Sequence, residues 1–397
     1  MYILKPSFYD KFVCIGDKCK MTCCGGWGID IKLSQQQYDN YLTCEGFISE
    51  CVKRFFEYDK EKDIYKVNFD ERNLCPLCNE QQLCEIVRQL GPDAIGEVCD
   101  IFPRIRMTAA IMDEFYLSLA CPWVVSILME TKDAISFEIK ENSEEPEKFE
   151  DETAYQLILC DLRIRDRILN FLRNREIDFP FRQFYVEYIL EKIKEFQRDG
   201  DIAKMEAALD EYLLTDSYTA FYKNMSELDK TSFHLAQYRL YKDALQMFEE
   251  CIKQLACRDK DHTYQTFAEL LDQNRTVGFD TWNMAYINWM NQKEYEFSIL
   301  LEKISCYDWM IHSMHASKKY YMLHNYLRIL VRNILIKQLH ILYYSLFGDI
   351  SDNLSYNIVA MASRNINHGA LFVDQLLAAW EKNNILSTGY IYILLQN

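Results

Sequence analysis

Apolar positions change their spacing once along this chain. Up to about residue 140 they alternate in short stretches or gather around cysteines, and from about residue 153 they recur every three or four positions, as on helix faces. In the first region Ile29 to Leu33 reads as a short strand. Ser34, with Gln37 three positions on, forms a capping box that opens a helix running to about Tyr58. Ile64 to Phe69 alternates as a strand does, and Ile105 to Ala110 with Phe115 to Ala120, separated by Met112, Asp113 and Glu114, reads as a hairpin. In the second region Leu157, Ile158, Leu162, Ile164, Ile168, Leu169, Phe171 and Leu172 make one broad apolar face, and Phe184, Tyr185, Tyr188, Ile189 and Ile193 another. Further helices are expected over 233–257, 263–271, 296–304, 320–346 and 371–382. No period of about 34 or 40 residues repeats, which excludes a standard helical-repeat solenoid.

Between the two patterns, ENSEEPEKFEDE packs carboxylates around a single proline with almost no apolar content. The fold class that follows is mainly α. A small cysteine-rich α+β N-terminal metal module covers residues 1–140, an acidic linker or loop covers 141–152, and an irregular all-helical domain covers 153–397.

At 397 residues, with 49% apolar and 14% aromatic content, the chain is folded and long enough to bury a large core. The N-terminus MYILKPSFYDKF lacks the apolar run of a secretory signal. No stretch reaches the roughly 18 charge-free apolar residues of a membrane span, since the most apolar segment is interrupted by Lys337, Gln338 and His340. The expectation is a cytoplasmic protein with no membrane partner. A net charge of −16 opposes attraction to phosphate backbones, so nucleic acid is excluded as a partner, whereas a lysine-bearing protein would be attracted.

That compartment sets how the 15 cysteines are read, because cytosolic thiols stay reduced. Cys14, Cys19, Cys23 and Cys24 crowd into CIGDKCKMTCC, and Cys75, Cys78, Cys84, Cys99 and Cys121 follow. Thiolates are soft ligands that select zinc or iron–sulfur species over magnesium or calcium. Cys75-Pro-Leu-Cys78 has the spacing of a zinc knuckle without a matching second knuckle, and Cys75-Pro76 and Cys121-Pro122 favour an iron–sulfur cluster held by loops. Cys44 and Cys51 on the first helix read as buried, and Cys160, Cys251, Cys257 and Cys306 as core thiols. His312, His315 and His324 lack companion ligands and read as ordinary histidines. Tyr320, Tyr321 and Tyr326 are a candidate wall for a narrow aromatic channel, and Arg104 a candidate partner for a carboxylate or a cluster.

Taken in order, CIGDKCKMTCCGGWGIDI, CPLCNEQQLCEI, VCDIFPRI and LSLACPW resemble the bacterial flagellin lysine N-methylase family, part of a wider group of zinc- or iron-chelating proteins with a CxxCxxCC signature. Onto that pattern fall Cys14, Cys19, Cys23, Cys24, Cys75, Cys84, Cys99 and Cys121, flanked by Trp27, Phe102, Pro103 and Arg104. HNYLRILVRNIL and SRNINH are weaker echoes, with Asn325 and Asn367 standing where the family tends to carry glutamates. The resemblance implies methyl transfer from S-adenosylmethionine to lysines of flagellin, and an iron–sulfur cluster, a four-iron centre needing four of the eight thiols. No dinucleotide-type glycine motif or alternating strand and helix pattern marks a doubly wound methyltransferase sheet, and the CxxxCxxC spacing of radical chemistry is absent. The rival expectation is a metal-binding interaction or redox-sensing protein without methyl transfer.

Overall fold

The computed structural model describes residues 2–19, 21–24, 31–70, 74–81, 83–109, 112–131, 133–141, 151–228, 233–256, 271–314, 321–367 and 370–396. Its strands are β1 (Tyr2–Pro6), β2 (Lys32–Leu33), β3 (Phe56–Asp59), β4 (Ile64–Val67), β5 (Arg104–Ala109), β6 (Met112–Leu117) and β7 (Phe137–Glu141). They form a four-stranded sheet of order β5-β6-β1-β7 and a three-stranded antiparallel sheet of order β2-β4-β3. In the larger sheet β1 runs parallel to β6, Leu4 opposite Glu114, and antiparallel to β7, Leu4 opposite Ile139.

The capping box is present: the Ser34 hydroxyl accepts from the Gln37 amide, and the Gln37 side chain accepts from the Ser34 amide. The helix it opens does not reach Tyr58. It ends at Leu42, the chain turns through Gly46 at φ 78°, and a second helix, Phe47–Phe55, leads directly into β3. In the hairpin, Met112, Asp113 and Glu114 are strand rather than turn. Asp113 is held across the strands by Arg106 at 2.8 Å and Thr108 at 2.7 Å, and Glu114 is buried against Arg165 at 2.7 Å, so partners offset the polarity that marked these residues as a turn. Of the expected linker 141–152, residues 142–150 lie outside the described residues, as do helical residues 263–270, while Glu141 ends β7 and Asp151 caps the helix that begins at Glu152.

Helices dominate from residue 152 on. Two of them, Phe279–His312 and Tyr321–Phe347, pack along each other and form the spine of the molecule, with Asn333 donating to the Ser305 hydroxyl at 2.6 Å and Arg332 paired with Asp308 between them. Helices Pro122–Glu130, Ile202–Tyr212, Thr215–Ser226, Asp352–Asn367 and Thr388–Leu395 have no counterpart in the sequence reading.

The apolar interior falls into two clusters. The larger joins the four-stranded sheet to the helices, with Leu4, Phe8, Tyr116 and Leu117 in the same core as Ile168, Trp309, Ile334 and Trp380. Tyr307 locks this junction: its hydroxyl accepts from the Leu117 amide at 2.6 Å and donates to the Leu117 carbonyl at 2.9 Å. The smaller cluster contains Ile31, Leu33, Tyr41, Ile48, Val52, Phe56, Val67 and Ile86, together with Cys51, Cys75 and Cys78. Thiols thus supply a quarter of the fully buried side chains of the small core, a share that apolar packing alone does not require.

Candidate functional site

Four short stretches bring cysteines to one place, each by local hydrogen bonding. The first follows a single 3-10 turn, Gly16–Lys18, which Gly16 enters at φ 56°; the Cys19 amide closes onto the Gly16 carbonyl at 3.0 Å, and the Cys19 thiol points to the Met21 carbonyl at 3.4 Å. The second is the Cys75-Pro-Leu-Cys78 turn. Its two ends are joined by the Cys78 amide donating to the Cys75 carbonyl at 2.8 Å, and it is tied to the first stretch by the Cys75 amide donating to the Cys24 carbonyl at 2.7 Å. An isolated bridge pairs Cys78 with Cys84, and Asn79 braces the intervening loop, accepting from the amides of Gln81 and Leu83 and donating to Glu85 at 2.8 Å. The third is the first turn of helix Glu97–Ile101, where the Cys99 amide donates to the carbonyl of the N-cap Gly96 at 2.9 Å. Gly96 packs against β2 so closely that a β-carbon there would meet the Lys32 carbonyl at 3.2 Å.

The fourth stretch carries Cys121, the N-cap of helix Pro122–Glu130, with Pro at the first helical position. That helix is fixed at its far end by the buried Lys303, whose ammonium reaches the Leu128 carbonyl and the Thr131 hydroxyl, both at 3.1 Å. It is fixed on its side by helix Asp352–Asn367. From the latter, buried Arg364 donates from Nε to the Ala120 carbonyl at 3.0 Å and from Nη2 to the carbonyls of Met21 at 3.1 Å and Thr22 at 3.2 Å.

The eight cysteines singled out by the sequence form one electrostatic network with Cys78. Cys14 acts on Cys19; Cys19 and Cys23 act on Cys121; Cys23 pairs with Cys24 and influences Cys99; Cys24 is hydrogen-bonded to Cys78; and Cys75 feels Cys24, Cys84 and Cys99. Desolvation raises the Cys99 thiol to about 12 and the Cys121 thiol to about 11. At Cys24 the hydrogen bond with Cys23 pulls down, but the one with Cys78 and burial prevail and push it up to about 12. The Cys23 thiol is raised first by its hydrogen bond with Cys24, and Arg364 counters that rise. Among the described residues, no three cysteine, histidine, aspartate or glutamate side chains converge closely enough to hold a metal ion as placed. The donor set therefore suits a thiophilic metal in kind, while its present arrangement brings the sulfurs into one neighbourhood and not onto one point.

Cys51 is buried as expected, its thiol directed to the Pro76 carbonyl at 3.5 Å, whereas Cys44 is half-buried. Cys160 and Cys306 are core thiols; Cys257 lies outside the described residues, and the Cys251 side chain outside what the structure describes. His324 lies 3.4 Å from Asp374, and the His312 carbonyl accepts from Asn325 at 2.7 Å. His315, Tyr320 and Trp27 lie outside the described residues, as does the side chain of Asn367. Tyr326 does not line a channel: it is fully buried, edge-on to Trp309, with its hydroxyl on the Gln183 carbonyl at 3.1 Å. Arg104 is exposed and lies over the Phe12 ring at 5.4 Å. Cys78, named in the knuckle spacing but left out of the eight expected ligands, joins the site. Arg364, on a helix more than 200 residues from any of these cysteines, was not singled out by the sequence.

A thiol-rich cap seated on a helical body is the class that the fold and site define. The chain belongs to the FliB lysine N-methylase family: residues 165–394, more than half its length, match the profile of the FliB lysine N-methylase C-terminal domain. It is similar to the lysine-N-methylase of Salmonella typhimurium, 28% identical over 144 residues, which is 35% of each chain, and equally to that of Salmonella choleraesuis. The chain thus spans about a third of the length of these two relatives. The flagellar biosynthetic protein FliU of Salmonella muenchen is 30% identical over 142 residues, 34% of this chain and 80% of that protein. No solved structure matches.

Proposed function

We propose that the chain is a protein-lysine N-methyltransferase that moves the methyl group of S-adenosylmethionine to lysines of flagellin. The observation that carries this reading is the match of residues 165–394 to the lysine N-methylase domain, on the same chain as the gathered thiols. The names of the relatives, two lysine-N-methylases and a flagellar biosynthetic protein, support both the reaction and the substrate. In the transfer a lysine amine forms a bond to the methyl carbon, the carbon–sulfur bond of the sulfonium breaks with its electron pair going to sulfur, and the amine releases one proton. The attacking amine must be neutral, although its ordinary pKa is about 10.4. Alignment and exclusion of water supply the rate, and no radical is needed. Activity therefore rises with pH between about 7 and 9 and requires no reductant.

An iron–sulfur centre, with zinc as the alternative, belongs to the same proposal. Its ligands would be drawn from Cys14, Cys19, Cys23, Cys24, Cys75, Cys84, Cys99 and Cys121, with Cys78 now adjacent. Because the sulfurs as placed do not converge, no step of the transfer is routed through the centre. Such a centre would bind together loops that otherwise pack on two different cores, Cys75 and Cys78 in the small one and Cys121 against the large one. Mass spectrometry of flagellin from cells with and without this protein tests the reading: lysine methylation present only with the protein supports it, and identical flagellin from both rejects it.

A further inference from the structure

We infer that Arg364 is a positioning residue of the thiol site, clamping the loop before Cys23 to the turn before Cys121 and holding a positive charge beside Cys19 and Cys23. The inference rests on the reading of these cysteines as the functional site and extends it to the lysine N-methylase domain, where Arg364 resides. Its guanidinium is buried, and three of its hydrogen bonds go to carbonyls of Met21, Thr22 and Ala120, 343, 342 and 244 positions away in sequence.

The choice of carbonyls matters. Thr22 immediately precedes Cys23, and Ala120 immediately precedes Cys121, so fixing those two peptide oxygens fixes the peptide planes from which both cysteines project. Only a planar fork with several donors can hold three carbonyls from two separate segments, which a lysine ammonium on a flexible stem does less well. The backbone carrying Arg364 is itself anchored, because Val359, Ala360, Ala362 and Ser363 on the same helix are buried. The bonds from Nη2 to the Met21 and Thr22 carbonyls set the positive charge of Arg364 within the 19–23 loop, between Cys19 and Cys23 in sequence. Cys19 is half-buried and Cys23 exposed, so reagents in solution can report on this charge.

The test uses the full-length protein, reduced and treated with a chelator, as wild type, Arg364→Lys and Arg364→Gln. Peptide mapping follows alkylation of each cysteine by anionic iodoacetate and by neutral iodoacetamide. The iodoacetate-to-iodoacetamide rate ratio at Cys19 and Cys23 is expected to fall roughly three-fold in Arg364→Gln, the size of one charge contact near a surface, and to be largely retained in Arg364→Lys. Loss of packing alone would speed both reagents together and leave the ratio unmoved. Iodoacetamide should also reach Cys23 and Cys121 faster in Arg364→Gln, with Cys160 and Cys306 unchanged. An unaltered ratio in a folded Arg364→Gln variant overturns the inference. Should that variant not fold, the wild-type ratio at Cys19 and Cys23 must still drop with added salt towards that of Cys14, and a salt-independent ratio overturns it equally. Iron and zinc analysis of the untreated wild type separates the two readings. A charge-dependent ratio in a protein without metal leaves the clamp standing and removes the metal centre, whereas a metal-loaded protein with an unmoved ratio removes the clamp alone.

Discussion

Replacing Asp161 by Asn should stabilise the protein, and by an amount that depends on pH. Asp161 is buried on helix Glu152–Leu172, where Gln197 donates to it at 3.2 Å. Burial outweighs that hydrogen bond and raises its carboxyl from 3.8 to about 7. Between these values the folded protein retains a proton that the unfolded chain has lost, so stability falls as pH rises through that window and levels off above it. The full cost above pH 7 is about 4 kcal/mol, of which less than half is already present near pH 5. Asparagine keeps the acceptor for Gln197 and never ionises. Its advantage over aspartate should therefore grow by about 2.5 kcal/mol between about pH 5 and about pH 8. Urea unfolding followed by far-UV circular dichroism at the two pH values measures this. An advantage that is the same at both, or a variant less stable than wild type at the higher pH, would contradict the assignment of Asp161 as buried without a compensating cation.

Glu114 and Arg165 form the contrasting case, a buried pair joined at 2.7 and 2.9 Å with the Tyr116 hydroxyl donating to the same carboxylate. Glu114→Gln leaves a buried guanidinium unbalanced and should cost about 3–5 kcal/mol, while Glu114→Gln combined with Arg165→Met should recover much of it; a single-variant loss below about 1 kcal/mol would contradict the assignment. Cys24→Ser keeps the backbone bond to Cys75 but removes a thiol at the centre of the network, so if the proposed centre is present its iron or zinc content should fall below half of wild type and the cap should melt earlier. Equal metal content and an unchanged melting profile would make Cys24 an ordinary core residue.

Local chemistry made part of this architecture readable. Ser34 and Gln37 announce a helix start because both partners of the capping box lie within one turn, and the long apolar faces around Ile168 and Ile189 need only their own spacing. What depends on distant partners was not readable. Met112, Asp113 and Glu114 look like a turn until Arg106, Thr108 and Arg165 supply their counterparts, and β1 is a short edge-like segment until it pairs with β6 more than 100 residues later. The break at Gly46 shows the reverse error, a helix opened by the Ser34 capping box and carried on to Tyr58 through a glycine whose left-handed conformation turns the chain. At the site, the cysteines advertise themselves by type and crowding. Arg364 does not, because an arginine on a helix is ordinarily solvated, and only the tertiary arrangement aims it at three carbonyls of the cap.

The most direct test of methyl transfer is to incubate the purified protein with flagellin and S-adenosylmethionine carrying a deuterated methyl group, without reductant, and to locate the label by peptide mass spectrometry. Intact deuterated methyl groups are expected on lysine ε-nitrogens of flagellin, formed faster at about pH 9 than at about pH 7. Unlabelled flagellin, or label that appears only when a reductant is added and 5′-deoxyadenosine accumulates, would contradict the proposed transfer.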